Sequence, residues 1–346
     1  MDLTRTRNAG GLAVKNQSWI VDRASTGTYD PRCFCLIEGP IPSAPDGKIV
    51  VQTLLMSLDP TNLNWLKLDP QLQAIPFGIG YPMIGVSIGV VIESRAPAHA
   101  VGDVVTGMWG WRRFDVVDPL LVHPAKPATE MSFEQQLAIF SHVGRAAAGG
   151  MTLIGEVKPT DAVLVSGAAG ATGSLAARIA KAQGCRVVGI AGGPDKCEFL
   201  LDELNSTVRS TTSKKTFARP STGTSRAVST CSSTMWVGKI DAVLTNMAVG
   251  CRIVLCGAIS QYNISEPSNL YGVQNLPLLI FRSARLQGFV ADFGPRNHVV
   301  DNLLDDLTQR GQLIARTHVV DGFENVPDAL ALLLNGKNRG KLLAQV

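Results

Sequence analysis

The sequence of 346 residues has no apolar run of the roughly 18–20 residues that a membrane-spanning helix needs. Its first residues are partly basic, but no apolar core with a small-residue cleavage site follows them, so a secretory signal is not expected. The seven cysteines form no CxxC pair, and the five histidines are scattered. These absences argue against a disulfide framework and a structural zinc site, and they predict a cytoplasmic protein without membrane contact.

Acidic residues are missing from one segment, residues 206–236, which contains five Lys/Arg residues. The formal net charge of the whole chain is +4, so the remainder of the chain carries one net negative charge. Nucleic-acid-binding proteins are usually basic over a whole face or domain, which is not the pattern here. We therefore expect no nucleic-acid partner.

The order of predicted elements indicates two kinds of structure, and a chain of this length is expected to form two domains. The first 130 residues alternate short β-rich runs with Pro/Gly turns, which predicts a β-rich module. A capping-box pattern at Ser132-Phe-Glu-Gln135 predicts the start of a helix. From Asp161 onward the pattern becomes strand, turn, helix and strand, which predicts a βαβ unit and a parallel sheet. Further helices are predicted at 299–310 and 326–335, and a last strand at 341–346.

Three glycines at three-residue intervals, Gly167, Gly170 and Gly173, separate the first predicted strand of this unit from its helix. A second strand follows about 20 residues later, as in dinucleotide-binding folds. Small residues let the backbone approach a pyrophosphate, whose charge is favoured at a helix N-terminus. The sequence therefore predicts that a dinucleotide binds at Gly167, Ala168, Gly170, Ala171, Thr172 and Gly173.

The end of the second strand distinguishes between the two nicotinamide cofactors. NAD sites usually have an Asp or Glu there, which binds the adenosine ribose diol. Here the strand ends in Val188-Gly-Ile-Ala-Gly-Gly193, without an acid to repel a 2′-phosphate, and Lys196 follows. This pattern favours NADPH over NADH, although Lys196 could also be an ordinary surface lysine.

Ligands for a catalytic zinc ion are not recognisable. The sequence has no GHE motif or HxxxH pair, and no cysteine lies between Asn62 and Gly184. Alcohol oxidation without a Lewis acid lacks its usual means of stabilising an alkoxide. Reduction of a conjugated carbon–carbon double bond does not need one, because the carbonyl group of the substrate delocalises the charge that an arriving hydride creates.

Several motifs in addition to the glycine turn extend nearly from end to end of the chain. They are Met56-Ser-Leu-Asp-Pro-Thr-Asn62, Val101-Gly-Asp-Val-Val-Thr-Gly107, the stretch from Gly184 to Cys197, Cys256-Gly-Ala-Ile-Ser-Gln-Tyr-Asn263 and Gly336-Lys-Asn-Arg-Gly-Lys341. Together they resemble the prostaglandin reductase and alkenal double-bond reductase branch of the zinc-free medium-chain dehydrogenase/reductase family. The resemblance implies an α/β fold in which a Rossmann doubly wound parallel sheet, residues 132–312, is inserted in a GroES-like β-rich substrate domain, residues 1–131 completed by 313–346.

The resemblance also implies roles for individual residues. Lys196 would bind the 2′-phosphate, Asn338 would contact NADPH near the cleft, and Asp59 and Asn62 would line the substrate site, unless the latter two are structural. Tyr262 is the predicted catalytic residue, because it would lie beside the nicotinamide ribose and hydrogen-bond near the developing enolate oxygen. No side chain is identified as the proton donor. The remaining predicted cofactor contacts are Gly192, Cys256, Gly257 and Ile259.

The segment from Ser206 to Trp236 does not fit the pattern around it, because 16 of its 31 residues are Ser or Thr. One explanation is a natural low-complexity insertion. A more specific explanation is a frame slip in the coding sequence. When plausible codons for residues 206–213 are translated in a frame shifted one base upstream, they give FDGAVDYK, and those for residues 229–238 give VDVFFDNVGG. Both strings are typical of the family. If the segment is real as printed, we expect weak NADPH binding and little activity.

The resulting functional hypothesis is NADPH-dependent reduction of the C=C bond of α,β-unsaturated aldehydes or ketones, by hydride transfer to the β-carbon. A quinone oxidoreductase that uses NADPH is the alternative within enzymes. A catalytically silent NADPH-binding paralogue is the alternative of another class, and it applies if residues 206–236 are real as printed. The resemblance implies a homodimer.

Overall fold

The computed structural model describes residues 15–25, 28–68, 78–202, 231–234, 240–264 and 266–346. The predicted frame slip concerns residues 206–236, which lie outside these ranges except for 231–234. Two sheets organise the described chain, one mainly antiparallel and one wholly parallel, and a short antiparallel pair of strands accompanies the first. The short pair consists of β1 (Asn16–Val21) and β2 (Phe34–Gly39).

The larger sheet is seven-stranded and is formed by both ends of the chain. Its C-terminal strand β14 pairs antiparallel with β3, with Leu343 opposite Ser57, and β13 pairs parallel with β14. The neighbours along the sheet are β13, β14, β3, β4, β5 and β7, and β6 pairs with β3. The strands are β3 (Ile49–Ser57), β4 (Ile84–Ser94), β5 (Val104–Gly110), β6 (Phe114–Val117), β7 (Val122–Pro124), β13 (Thr317–Asp321) and β14 (Lys341–Gln345).

The second sheet has five strands, all parallel, in the order β12, β11, β10, β8, β9. The chain runs outward from β8 to β9 and then returns to the other side of β8, so the strand order reverses at β8. Ligands of such sheets bind at the carboxyl ends of the strands beside this reversal point. The strands are β8 (Ala162–Ser166), β9 (Arg186–Ile190), β10 (Cys231–Thr234), β11 (Arg252–Leu255) and β12 (Arg285–Gly288).

Helices cover both faces of the parallel sheet. Val163 and Val165 of β8 are buried in a core with α3 (His142–Gly149), α4 (Ala171–Ala182) and α9 (Asn297–Gln309). Leu164 between them packs with α6 (Ile240–Asn246) on the opposite face. This alternation follows from the two-residue period of a strand. The helices are α1 (Pro60–Trp65), α2 (Phe133–Ile139), α3 (His142–Gly149), α4 (Ala171–Ala182), α5 (Pro194–Asp202), α6 (Ile240–Asn246), α7 (Ile259–Tyr262), α8 (Leu278–Phe281), α9 (Asn297–Gln309) and α10 (Val326–Leu334).

The predicted helix start at Ser132 is confirmed, because the Ser132 side chain accepts a hydrogen bond from the backbone N–H of Gln135. The side chain of Gln135 does not complete a capping box. It binds both the carbonyl oxygen and the N–H of Ala315, at 2.7 and 2.9 Å. Gln135 therefore fastens the start of α2 to the segment that leads into β13.

Among the described residues, no single helix is both long and apolar enough to cross a bilayer. Phe133–Ile139 and His142–Ile154 meet the length and composition test only as a pair, and that pair is bent by 43°.

Candidate active site

The turn between β8 and α4 has the geometry of a phosphate-binding loop. Gly167 has a positive φ of 60°, and its carbonyl oxygen accepts the N–H of Gly170 at 2.8 Å. Gly170 is the residue before α4 and has no side chain with which to cap it. A Cβ atom on Gly173 would lie 2.3 Å from the carbonyl oxygen of Gly167, so only glycine fits there. The turn therefore keeps the first-turn amides of a twelve-residue helix available to an anion.

A cavity of about 670 Å³ adjoins this turn and extends over α5. Gly192 and Lys196 of the predicted cofactor residues line it, and Gly193, with a φ of 82°, forms the bend between β9 and α5. Lys196 is half-buried, and burial lowers its pKa below the ordinary value of 10.5. The cavity is lined by Ala169, Gly192, Gly193, Pro194, Asp195, Lys196, Glu198, Phe199, Asp202, Arg316, Gly336, Lys337, Arg339 and Gly340.

The second wall of the cleft comes from the turn before β14. Gly340 forms an isolated parallel bridge with Gly170, which joins this turn directly to the phosphate-binding loop. Asn338 is buried in the same turn, and its amide donates to the carbonyl oxygen of Gly340 at 2.9 Å. The structure therefore places Asn338 beside the loop that would hold the pyrophosphate, with its Nδ2 group already used to shape the turn.

The predicted nicotinamide end follows β11. Cys256 and Gly257 lead into the short helix α7, which contains Ile259 and ends at Tyr262. The phenol oxygen of Tyr262 accepts the backbone N–H of Ala258 at 3.0 Å, and no acceptor for its own proton lies among the described residues. Burial raises the pKa of the Cys256 thiol to about 12, so this sulfur is protonated at neutral pH.

Asp59 and Asn62, the predicted cleft residues, fix the start of α1, which packs against α7. The Asn62 side chain accepts the N–H of Asp59 at 2.9 Å and donates to the carbonyl oxygen of Ile84, also at 2.9 Å. Both residues are buried. Their geometry gives Asn62 a structural task, and a substrate contact by either residue stays a prediction.

Asp59 belongs to a polar cluster in which Ser57 and Lys341 are also buried and His142 is partly buried. Its carboxylate is paired with the Lys341 ammonium group and accepts the Ser57 hydroxyl, and His142 Nε2 lies 3.6 Å from Oδ1. Burial alone would raise the pKa of Asp59, but the charges of Lys341 and His142 and these hydrogen bonds outweigh burial and lower it. For His142, burial lowers the pKa, and the attraction of Asp59 opposes this effect only in part.

Four residues near the predicted site were missed by sequence reasoning: His142, Arg316, Lys337 and Arg339. Lys337 and Arg339 lie within a motif that the sequence analysis quoted, so their basic side chains were a usable signal. His142 and Arg316 gave no such signal in the sequence, because each reaches its partners only through the fold.

The structure brings only some of the predicted site residues together. Gly192 and Lys196 both line the cavity, and Gly170 is joined to the turn that contains Asn338. Cys256, Tyr262, Asp59 and Asn62 line no part of that cavity.

A parallel sheet with a glycine turn at its reversal point and a cavity lined by charged side chains beside it is the arrangement of a dinucleotide-binding fold. Residues 17–124 match a family described as the N-terminal domain of oxidoreductase. The chain is 30% identical to an NADPH-dependent curcumin reductase of Escherichia coli (strain K12), over 97% of this chain and 99% of that protein. It is 29% identical to a 2-alkenal reductase (NADP(+)-dependent) of Nicotiana tabacum, over 87% of this chain and 89% of that protein.

A solved structure of CurA in complex with NADPH from Vibrio vulnificus is also similar, with a TM-score of 0.84 and 29% identity over 95% of this chain and 99% of that chain. The chain belongs to the NADP-dependent reductases of the medium-chain dehydrogenase/reductase family. It is an NADPH-dependent oxidoreductase with a Rossmann sheet and a GroES-like β-rich sheet.

Proposed function

We propose that the protein reduces the carbon–carbon double bond of α,β-unsaturated aldehydes and ketones. The relatives named for curcumin and 2-alkenals support this substrate class, because both names denote conjugated enones or enals. The observation that carries the proposal is the hydrogen bonding of Tyr262, whose phenol oxygen accepts the backbone N–H of Ala258 and has a proton of its own to donate. The proposal divides the chain into a substrate domain, residues 1–131 with 313–346, and a cofactor domain, residues 132–312.

NADPH supplies a hydride from its nicotinamide ring. The residues that would hold its pyrophosphate are Gly167, Ala168, Gly170, Ala171, Thr172 and Gly173, where the backbone turn fits a phosphate. Tyr262 donates its hydroxyl proton as a hydrogen bond to the substrate carbonyl oxygen, which becomes an enolate oxygen when the hydride reaches the β-carbon. Stabilisation of developing charge by a pre-positioned donor is the main contribution we assign to the protein.

Substrate comparison tests the proposal. We expect NADPH oxidation with a 2-alkenal or a conjugated enone and none with the matching saturated aldehyde or ketone. Tyr262→Phe should lower kcat by about 10²-fold, the loss typical for one donor to a developing oxyanion, with an unchanged dissociation constant for NADPH. Turnover of quinones alone would instead support the quinone oxidoreductase, and NADPH binding without any turnover would support the silent paralogue.

We further propose that the protein acts as a homodimer through the edge of the parallel sheet. Within the described chain, β12 pairs on one side only, with β11. Ile280, Phe281 and Val290, which precede and follow this strand, are 77–78% exposed. An unpaired strand flanked by exposed apolar residues favours pairing with a second copy. Phe281→Asp should therefore lower the mass measured by light scattering to that of a monomer.

A further inference from the structure

The cavity beside the phosphate-binding turn has two walls of opposite charge. Asp195, Glu198 and Asp202 occupy positions i, i+3 and i+7 of α5, so these three carboxylates share one face of that helix. Across the cavity stand Arg316, Lys337 and Arg339, which precede β13 and β14 in the chain. Among the lining residues, Lys196 is the only cation that α5 itself supplies.

The acidic wall changes what a 2′-phosphate would meet in this cavity. The phosphate group carries a charge of about −1.5 to −2 at neutral pH. With α5 alone, three carboxylates and one ammonium group would face it, and the net effect would be repulsion. The three cations of the C-terminal segments reverse that balance, since the complete lining holds four cationic and three anionic side chains.

Arg316 is held in place at both ends. Its carbonyl oxygen accepts the N–H of Lys341 at 2.8 Å, and its guanidinium carbon lies 4.9 Å from the centre of the Phe199 ring. Phe199 is buried in α5, so the stacked guanidinium bridges the two walls. A stacked arginine keeps its planar fork of donors in a fixed orientation, which suits recognition of a phosphate group.

Arg339 is held more loosely. Its Nη2 lies 3.6 Å from Oδ2 of Asp195, and the two side chains are 64% and 82% exposed. Such exposed ion pairs contribute little free energy. A phosphate dianion can therefore take Arg339 from Asp195 at small cost.

We propose that Arg316 and Arg339 decide the selectivity of this site for a ribose with a 2′-phosphate. The preference for NADPH over NADH then depends on the chain segments that lead into the β-rich sheet. Lys196 alone is insufficient to produce this preference. Asp195 acts against phosphate binding because it competes for Arg339. The inference rests on the assignment of this cavity to the adenosine end of NADPH, and it is independent of which double bond is reduced.

Calorimetric titration of the full chain tests the proposal, with adenosine 2′,5′-bisphosphate, adenosine 5′-monophosphate, NADPH and NADH as probes. We expect R316Q and R339Q each to weaken the bisphosphate and NADPH by about tenfold or more, the effect of losing one charged hydrogen bond. The monophosphate and NADH should change by less than about twofold under the same reasoning. D195N should tighten NADPH binding, a change in the opposite direction to that expected for R316Q and R339Q.

Arg310→Gln is the matched control, because Arg310 pairs with Asp306 on the exposed surface of α9 and does not line the cavity. R316K, which keeps the charge, checks that any loss in R316Q is not a folding defect. Equal weakening of NADPH and NADH, unchanged NADPH binding, or a wild-type chain that does not bind the bisphosphate would each overturn the proposal. Failure to reduce enones while these binding shifts are seen would instead overturn the proposed function alone.

Discussion

Asp59 and Lys341 are two buried, opposite charges that lie 282 positions apart in the chain. The Asp59 carboxylate also accepts a hydrogen bond from the Ser57 hydroxyl, and His142 lies beside it. Removing water from two ions is costly, and the pairing together with these hydrogen bonds offsets that cost. The pair therefore fastens β14 to the start of α1 only while both charges are present.

Lys341→Met should destabilise the protein by about 3–5 kcal/mol, because it leaves the Asp59 carboxylate buried without its cation. The measurement is the free energy of unfolding from urea titration. Adding Asp59→Asn to Lys341→Met should recover part of the loss, since the uncompensated charge disappears. Arg310→Gln, at an exposed pair, should cost less than about 1 kcal/mol. A loss for Lys341→Met as small as that of this control would contradict the account.

His142 makes the stability of the fold depend on pH. Burial, only partly opposed by Asp59, lowers the pKa of His142 below its ordinary value of 6.5. At this position the unfolded chain therefore binds more protons than the folded chain as the pH falls through about 6.5, so His142 contributes a decrease in the free energy of unfolding. Urea titrations at about pH 7.5 and about pH 5.5 should show a smaller decrease for His142→Asn than for wild type. Identical decreases would show that His142 contributes nothing.

At the scale of elements, the phosphate-binding turn depends on close approach of backbone atoms. A Cβ on Gly173 would meet the carbonyl oxygen and carbon of Gly167 at 2.3 and 2.8 Å, and backbone atoms cannot move aside as a side chain can. The end of β8 and the start of α4 are therefore held at a separation that only glycine permits.

Gly173→Ala should consequently open the turn, cost about 1–3 kcal/mol of stability and weaken NADPH binding. Thermal unfolding and NADPH titration measure the two effects. Gly39→Ala is the control, because a Cβ there has no atom within 4 Å. If Gly173→Ala bound NADPH as tightly as wild type, the turn would not be the pyrophosphate site.

Elements with a local signal could be predicted from the sequence. The helix after Ser132 and the βαβ unit at 162–191 follow from capping and periodicity, and Lys196 follows from its position just after the second strand of that unit. The partners of Gln135 could not be predicted this way, because Ala315 is 180 residues away. The charge cluster at Asp59 and the basic wall at Arg316 likewise depend on strand pairing between the chain ends, which no local pattern encodes.

One element also bears on the printed sequence. Strand β10 (Cys231–Thr234) lies between β8 and β11, where a doubly wound sheet usually has apolar residues. The printed residues there are Cys-Ser-Ser-Thr, whereas the shifted reading gives Val-Phe-Phe-Asp. The shifted reading thus supplies two aromatic residues to a central strand.

Mass mapping of tryptic peptides from the purified protein decides between the two readings. We expect one peptide ending in FDGAVDYK and another containing VDVFFDNVGG. Peptides that match residues 206–236 as printed would contradict the frame slip. In that case the silent paralogue becomes the better account, and weak NADPH binding should accompany it.

In the whole molecule, the two chain ends meet at the proposed cofactor site. β14 joins the N-terminal strands of the larger sheet, and the turn before it touches the phosphate-binding loop through Gly340 and Gly170. The same turn carries Arg339 and Lys337 into the cavity. Cofactor binding should therefore stabilise the contact between the two sheets as well as the parallel sheet itself.

Hydride delivery to the β-carbon of a conjugated carbonyl compound is the step that defines the proposed reaction. The most direct measurement uses NADPH carrying deuterium at both C4 positions, a 2-alkenal, and NMR of the product. We predict a saturated aldehyde with one deuterium on the β-carbon and a solvent-derived hydrogen on the α-carbon. Deuterium on the carbonyl carbon of an allylic alcohol would contradict the claim, as would tight binding of NADPH with no product.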